Sequence, residues 1–144
     1  MKDELPVLIQ VSTLTPEEDD TPFGETVVGT CLTGGPETLL TYTELIPCDG
    51  SADIEEQVRI SIRGDRVIIS RLGDIQSAMV FEAGKRCETE YRTPEGAFTL
   101  SVHALRLKIK TGPEGLIDTD YLMTMGGQDV GLRRLRITWA PTAC

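Results

Sequence analysis

Nowhere in the chain do apolar residues recur at i, i+3, i+4 and i+7 for long enough to bury one face of a helix. Short runs of alternating or β-branched residues arrive instead every ten or so positions, each bounded by Gly, Pro or Asp. A chain with that rhythm buries its apolar side in antiparallel sheet, so the fold class is all-β and the architecture a barrel or a sandwich. Val, Ile and Thr together number 37 against 7 Ala, a balance that suits pleated, half-buried surface better than helix. The runs predict strands over Val7–Thr13, Glu25–Gly34, Glu37–Glu44, Ile54–Arg63, Arg66–Leu72, Ile75–Phe81, Lys85–Arg92, Gly96–Lys110, Leu116–Met125 and Val130–Trp139, with ten as the upper count. Ser51–Val58 has room for at most one helical turn. The length of 144 residues accommodates one core, so residues 1–144 are expected to form one barrel domain. Thr15–Pro22, acidic and bracketed by prolines, is expected to be a mobile loop between the first two strands.

One hairpin can be set residue by residue. Gly64-Asp65 makes a two-residue connection that needs positive φ at Gly, which places Arg63 opposite Arg66, Ile62 opposite Val67, Ile60 opposite Ile69 and Val58 opposite Arg71. Arg71 therefore lands on the apolar side, where its guanidinium must reach water, a carboxylate or backbone carbonyls. Elsewhere parity demands irregularities. Gly73-Asp74 as a tight turn would send Met79 and Phe81 outward, so a longer turn or a bulge is expected there. The switch from Phe98, Leu100 and Val102 to Leu105, Leu107 and Ile109 predicts a bulge around His103–Leu105, or a strand that bends between two sides of a barrel. Keeping Ile117, Tyr121, Met123 and Met125 inside together with Leu135, Ile137 and Trp139 requires an odd loop around Gly126-Gly127.

The charge of −9 repels phosphate backbones and anionic lipid surfaces, so neither nucleic acid nor membrane is expected as a partner. Cys31, Cys48, Cys87 and Cys144 are scattered, as thiols in a cytosol would be. The N-terminal Met1-Lys2-Asp3-Glu4 carries acids where an export signal needs a basic region, and the apolar stretches are too short to span a bilayer. A cytoplasmic location follows as the expectation. A lone His103 with no paired cysteines gives no metal site, and Asp49, Ser51, Asp53 and Glu56 lack the order of a calcium loop and read as solvated. No nucleophile elbow or phosphate-cradling glycine loop occurs, so no cofactor is expected. Asp118 and Asp120 fall on a solvent-facing strand side. With few aromatic residues, Tyr42, Tyr91, Tyr121 and Trp139 join Arg71 as candidates for the barrel interior or its rim.

The segments Arg71-Leu72-Gly73, Met79-Val80-Phe81-Glu82-Ala83-Gly84 and Tyr91-Arg92-Thr93-Pro94-Glu95-Gly96, followed by Phe98-Thr99-Leu100 and joined by the strand Leu39-Leu40-Thr41-Tyr42, resemble the YwiB-like family. These are small Firmicute proteins carrying a domain of unknown function, and the resemblance runs from Val7 to Trp139. It implies a single closed antiparallel β-barrel of the calycin type, similar to lipocalins and fatty-acid-binding proteins, with about 8–10 strands and no attached reaction. It also implies that Arg71 closes one barrel end by stacking on an aromatic ring and bonding strand carbonyls. The expected function is a non-enzymatic barrel that binds a small, partly apolar or amphipathic ligand or a protein partner. Two alternatives are an enzyme acting on a small metabolite through His103 or Glu82 beside Tyr91, and an interaction protein that forms a homodimer through strand edges.

Overall fold

The computed structural model of the chain describes residues 3–14, 23–34, 37–46, 54–73, 76–93, 95–112 and 114–142. The expected loop Thr15–Pro22 and the positions Cys48, Asp49, Ser51, Asp53 and Cys144 lie outside them. Ten strands form: β1 Asp3–Leu14, β2 Phe23–Gly34, β3 Glu37–Ile46, β4 Ile54–Arg63, β5 Arg66–Leu72, β6 Ser77–Glu82, β7 Arg86–Thr93, β8 Gly96–Lys110, β9 Gly115–Met125 and β10 Gln128–Pro141. The helical turn allowed at the start of β4 does not form from Ile54 onward, because that segment is already laddered to β3 from Ile46–Ile54 onward.

All pairings are antiparallel and run β6-β5-β4-β3-β2-β1-β10-β9-β8-β7. Every strand thus lies beside its neighbour in sequence, and β1 closes on β10 from Val7–Pro141 to Leu14–Arg134. The two remaining edges, β6 and β7, meet through the single bridge Gln76–Arg92, whose two backbone hydrogen bonds are 2.9 and 2.8 Å long. The Thr89 hydroxyl adds a bond to the Ala78 carbonyl. The result is a nearly closed meandering barrel, the all-β architecture expected from the strand rhythm. Its upper end carries the connections after β1, β3, β5, β7 and β9, and its lower end those after β2, β4, β6 and β8.

Inward positions of β1 to β6 and β8 to β10 merge into one core that includes Ile9, Leu40, Ile60, Phe81, Val102, Ile117 and Ile137. The β4–β5 register is the one that Gly64-Asp65 dictates, Val58–Arg71 included, and Gly64 takes φ 59°. Between β5 and β6 the pairing resumes at Arg71–Ser77, so the longer turn is used and Phe81 faces in. The β8 bulge falls between Ala104 and Arg106. It turns Leu105 out to solvent, contrary to its expected inward place, and the Thr119 hydroxyl bonds the Arg106 carbonyl at 2.7 Å beside it. Between β9 and β10 the odd loop is not what occurs. Gly126 and Gly127, at φ 58° and 82°, make a two-residue turn, and Val130 supplies the parity change as an extra residue between Asp129 and Gly131.

The outer face of β8–β10 carries a charge ladder in which Arg106 bonds Asp118 at 2.9 Å and Asp120 at 3.0 Å, while Arg134 bonds Asp120 at 2.8 Å. The bonds from Arg134 and then Arg106 hold the Asp120 carboxyl below the usual carboxylate range. A depressed folded-state value stabilises the fold above the unfolded value of about 4 and loses that contribution as pH falls through the lowered range. Asp120→Asn is expected to cost about 1 kcal/mol at neutral pH, with the two stability curves converging below about pH 4 when urea unfolding is followed against pH.

Candidate functional site

Toward the upper end the inward faces of β3 to β6 carry polar side chains among the apolar ones. Register sets Tyr42, Val58, Arg71 and Ser77 in one row across β3, β4, β5 and β6, all on the inward face. Glu56, two residues from Val58 on β4, shares that face and is only 1% exposed. Its carboxylate lies 3.9 Å from the Arg71 guanidinium, whose side chain remains 34% exposed at the upper end. The solvated reading of Glu56 is thereby corrected: its parity matches Val58, Ile60 and Ile62, and an inward cation opposite makes burial tolerable. A Cβ on Gly73 would come within 3.0 Å of Glu56 Cγ, so the backbone there packs closely on the Glu56 side chain. Where the resemblance implied ring stacking and carbonyl bonds for Arg71, the ion pair that the structure gives it is with Glu56.

Tyr91 sits half-buried on β7 opposite Phe98, and the Gln76–Arg92 bridge brings it alongside Ser77, into the same row as Arg71. Tyr121 on β9 is buried against Phe81 with ring centroids 5.1 Å apart and planes at 85°. Burial pushes its phenol up from the ordinary tyrosine value. Trp139 belongs to the lower half, where its ring covers Gly115 and its Nε1–H donates to the Gly112 carbonyl at 3.1 Å. The interior thus brings Tyr42, Arg71 and Tyr91 into one row, and Trp139 acts apart from them as a wall plug.

Sequence reasoning missed Arg133. It lies directly opposite Tyr121 in the β9–β10 ladder and therefore faces inward. Its Nε is buried and has no hydrogen-bond partner. The signal was its odd parity with Leu135, Ile137 and Trp139.

At the lower end an open cleft of about 690 Å³ lies between the Gly64-Asp65 hairpin, the Ala83 turn and the end of β8. Ile62, Leu107 and Ile109, all part of or packed on the core, form its floor, and Thr38 joins them. Asp65, Glu82 and Lys108 mark the rim. Glu82 points outward to Lys85 at 3.1 Å and Arg66 at 3.4 Å, and Lys85 chiefly holds its carboxyl below the usual range. His103 sits on the outer wall opposite Leu122. Glu82, His103 and Tyr91 consequently do not meet around one cavity. Among the described residues no group of three metal-ligating side chains gathers, Cys31 and Cys87 are free thiols, and no helix is long and apolar enough to cross a membrane.

A family model described as a domain of unknown function, DUF1934, matches residues 9–137. Curated proteins give no match. Among solved structures, the crystal structure of the ywiB protein from Bacillus subtilis is similar with a TM-score of 0.80 and 16% sequence identity, over 97% of this chain and 94% of that one. At that identity the likeness speaks for the fold.

Proposed function

The chain belongs to the DUF1934 family, a domain of unknown function, and from that premise we propose that it is a non-enzymatic binding barrel for a small, partly apolar ligand taken up at the lower end. The observation that carries this reading is the cleft of about 690 Å³ whose floor is apolar barrel interior and whose rim is polar. That volume lies in the range of small-molecule sites, and a lining that is more polar than apolar above an apolar floor suits an amphipathic ligand. His103 lies on an outer face and Glu82 reaches the cleft only at its rim, with Tyr91 elsewhere, which weighs against the enzyme alternative, and the bridge between β6 and β7 leaves less strand edge for a dimer. Two free thiols favour a reducing compartment such as the cytoplasm.

Leu107→Trp tests the cleft. The indole fills the floor without a new charge, so the variant is expected to keep its circular dichroism spectrum and lose at least tenfold in affinity for any apolar probe that stabilises the wild type. Native mass spectrometry and thermal shift against alkanols, alkanoates and isoprenoids supply the probes. Unchanged affinity in Leu107→Trp sinks the reading.

A further inference from the structure

We propose that Arg133 is an interior binding site for a monoanionic carboxylate, the headgroup of the partly apolar ligand inferred above, and this rests on that reading for the ligand's apolar part. Arg133 stands on β10, five positions from β5 in the ten-strand order, so it projects inward from the wall opposite Arg71. The two cations differ in how they are compensated. Arg71 has the Glu56 carboxylate at 3.9 Å, and on the outer wall Arg106 and Arg134 are bonded to Asp118 and Asp120. Arg133 has no ion pair among the described residues, and its Nε–H is buried without an acceptor.

An unsatisfied buried donor is costly and rare in folded chains, and such a group marks a place where an absent acceptor belongs. The residue as a whole is partly exposed while its Nε is buried. A guanidinium presents parallel N–H donors that match the two oxygens of a carboxylate. Charge bears on the choice of anion. Arg71 and Glu56 cancel, and among the described side chains Arg133 is then the inward charge with no opposite charge beside it; a carboxylate neutralises it, whereas a phosphate dianion would add a net negative charge on the inward face that carries buried Glu56. Met123 and Leu135 flank Arg133 on the same inward face, and Tyr121 lies opposite, so an aliphatic chain attached to the carboxylate would meet apolar wall.

The test uses the full chain and its Arg133→Met variant, which keeps the aliphatic stem. Calorimetric titration at about pH 8, where a phosphate monoester is dianionic, compares dodecanoate, dodecyl phosphate and dodecanol. Wild type is expected to bind dodecanoate at least tenfold more tightly than dodecanol and no less tightly than dodecyl phosphate, and Arg133→Met to bind dodecanoate and dodecanol alike. Without ligand, Arg133→Met is expected to melt about 2–4 °C higher, since an uncompensated charge has left the interior. A variant that melts lower assigns Arg133 to the fold itself, and a variant that keeps the carboxylate preference removes the site; either result overturns the proposal, as does a wild-type preference for the phosphate. Benzoate separates the two readings because it needs the guanidinium and not the lower cleft. Benzoate stabilisation lost only in Arg133→Met supports the anion site even if every long-chain probe fails, and wild type indifferent to benzoate and dodecanoate alike overturns it.

Discussion

Gly115→Ala is expected to lower the free energy of unfolding by about 3 kcal/mol, read as a reduced urea midpoint with an unchanged slope. Gly115 faces Trp139 across the β9–β10 ladder, and a Cβ there would coincide with Cζ2, Cε2 and Cη2 of the indole. The ring cannot swing away cheaply. It is 2% exposed, and its Nε1–H is committed to the Gly112 carbonyl. Overpacking a well-filled site costs about 1–3 kcal/mol, and loss of the indole hydrogen bond adds about 1. Gly64→Ala is the control with the opposite cause. Nothing lies within 4 Å of a Cβ at Gly64, but φ is +59°, so only backbone strain of about 1 kcal/mol is incurred. In a Trp139→Leu background the cost of Gly115→Ala is expected to shrink, since the two sites share one volume. A Gly115→Ala variant no worse than Gly64→Ala would show that the indole is not seated there.

The same contrast between local and distant causes explains how much the sequence revealed. Strand number, the β4–β5 register and the inward place of Arg71 were legible because a two-residue turn fixes parity over its whole hairpin. The bulge beside Ala104 was legible for a similar reason, as the apolar set changes parity within one strand. Leu105 was misplaced because a bulged residue follows neither parity. At β9–β10 the need for one extra residue was readable, but whether the turn or Val130 supplied it was not, since Gly126-Gly127 alone satisfies a tight turn. Either choice leaves Arg133 in the parity of Leu135 and Ile137, pointing inward. Glu56 read as solvent-exposed because its sequence neighbours are acidic, while its burial depends on Arg71 fifteen residues later. The lower cleft had no local signal at all: Ile62 and Leu107 meet only when the barrel closes.

Arg71→Met is expected to cost about 2–3 kcal/mol, between the ~1 kcal/mol of an exposed pair and the 3–5 kcal/mol of a fully buried one. The asymmetry of the pair sets that figure. Glu56 is 1% exposed and Arg71 34%, so the arginine gives up little solvation in the fold, whereas the carboxylate has been taken wholly out of water. Removing the arginine takes away the compensating charge and leaves the expensive partner inside. Removing Glu56 instead leaves a cation that already reaches solvent, so Glu56→Gln is expected to cost less than Arg71→Met. In the double variant neither charge of this pair remains, and a Met beside a neutral amide suits a wall formed by Val58 and Tyr42. Its stability is expected within about 1 kcal/mol of wild type, giving a coupling energy of about 2 kcal/mol from the four urea curves. Additive losses in the double variant would mean that the 3.9 Å contact carries no energy and that Arg71 is held by its other neighbours.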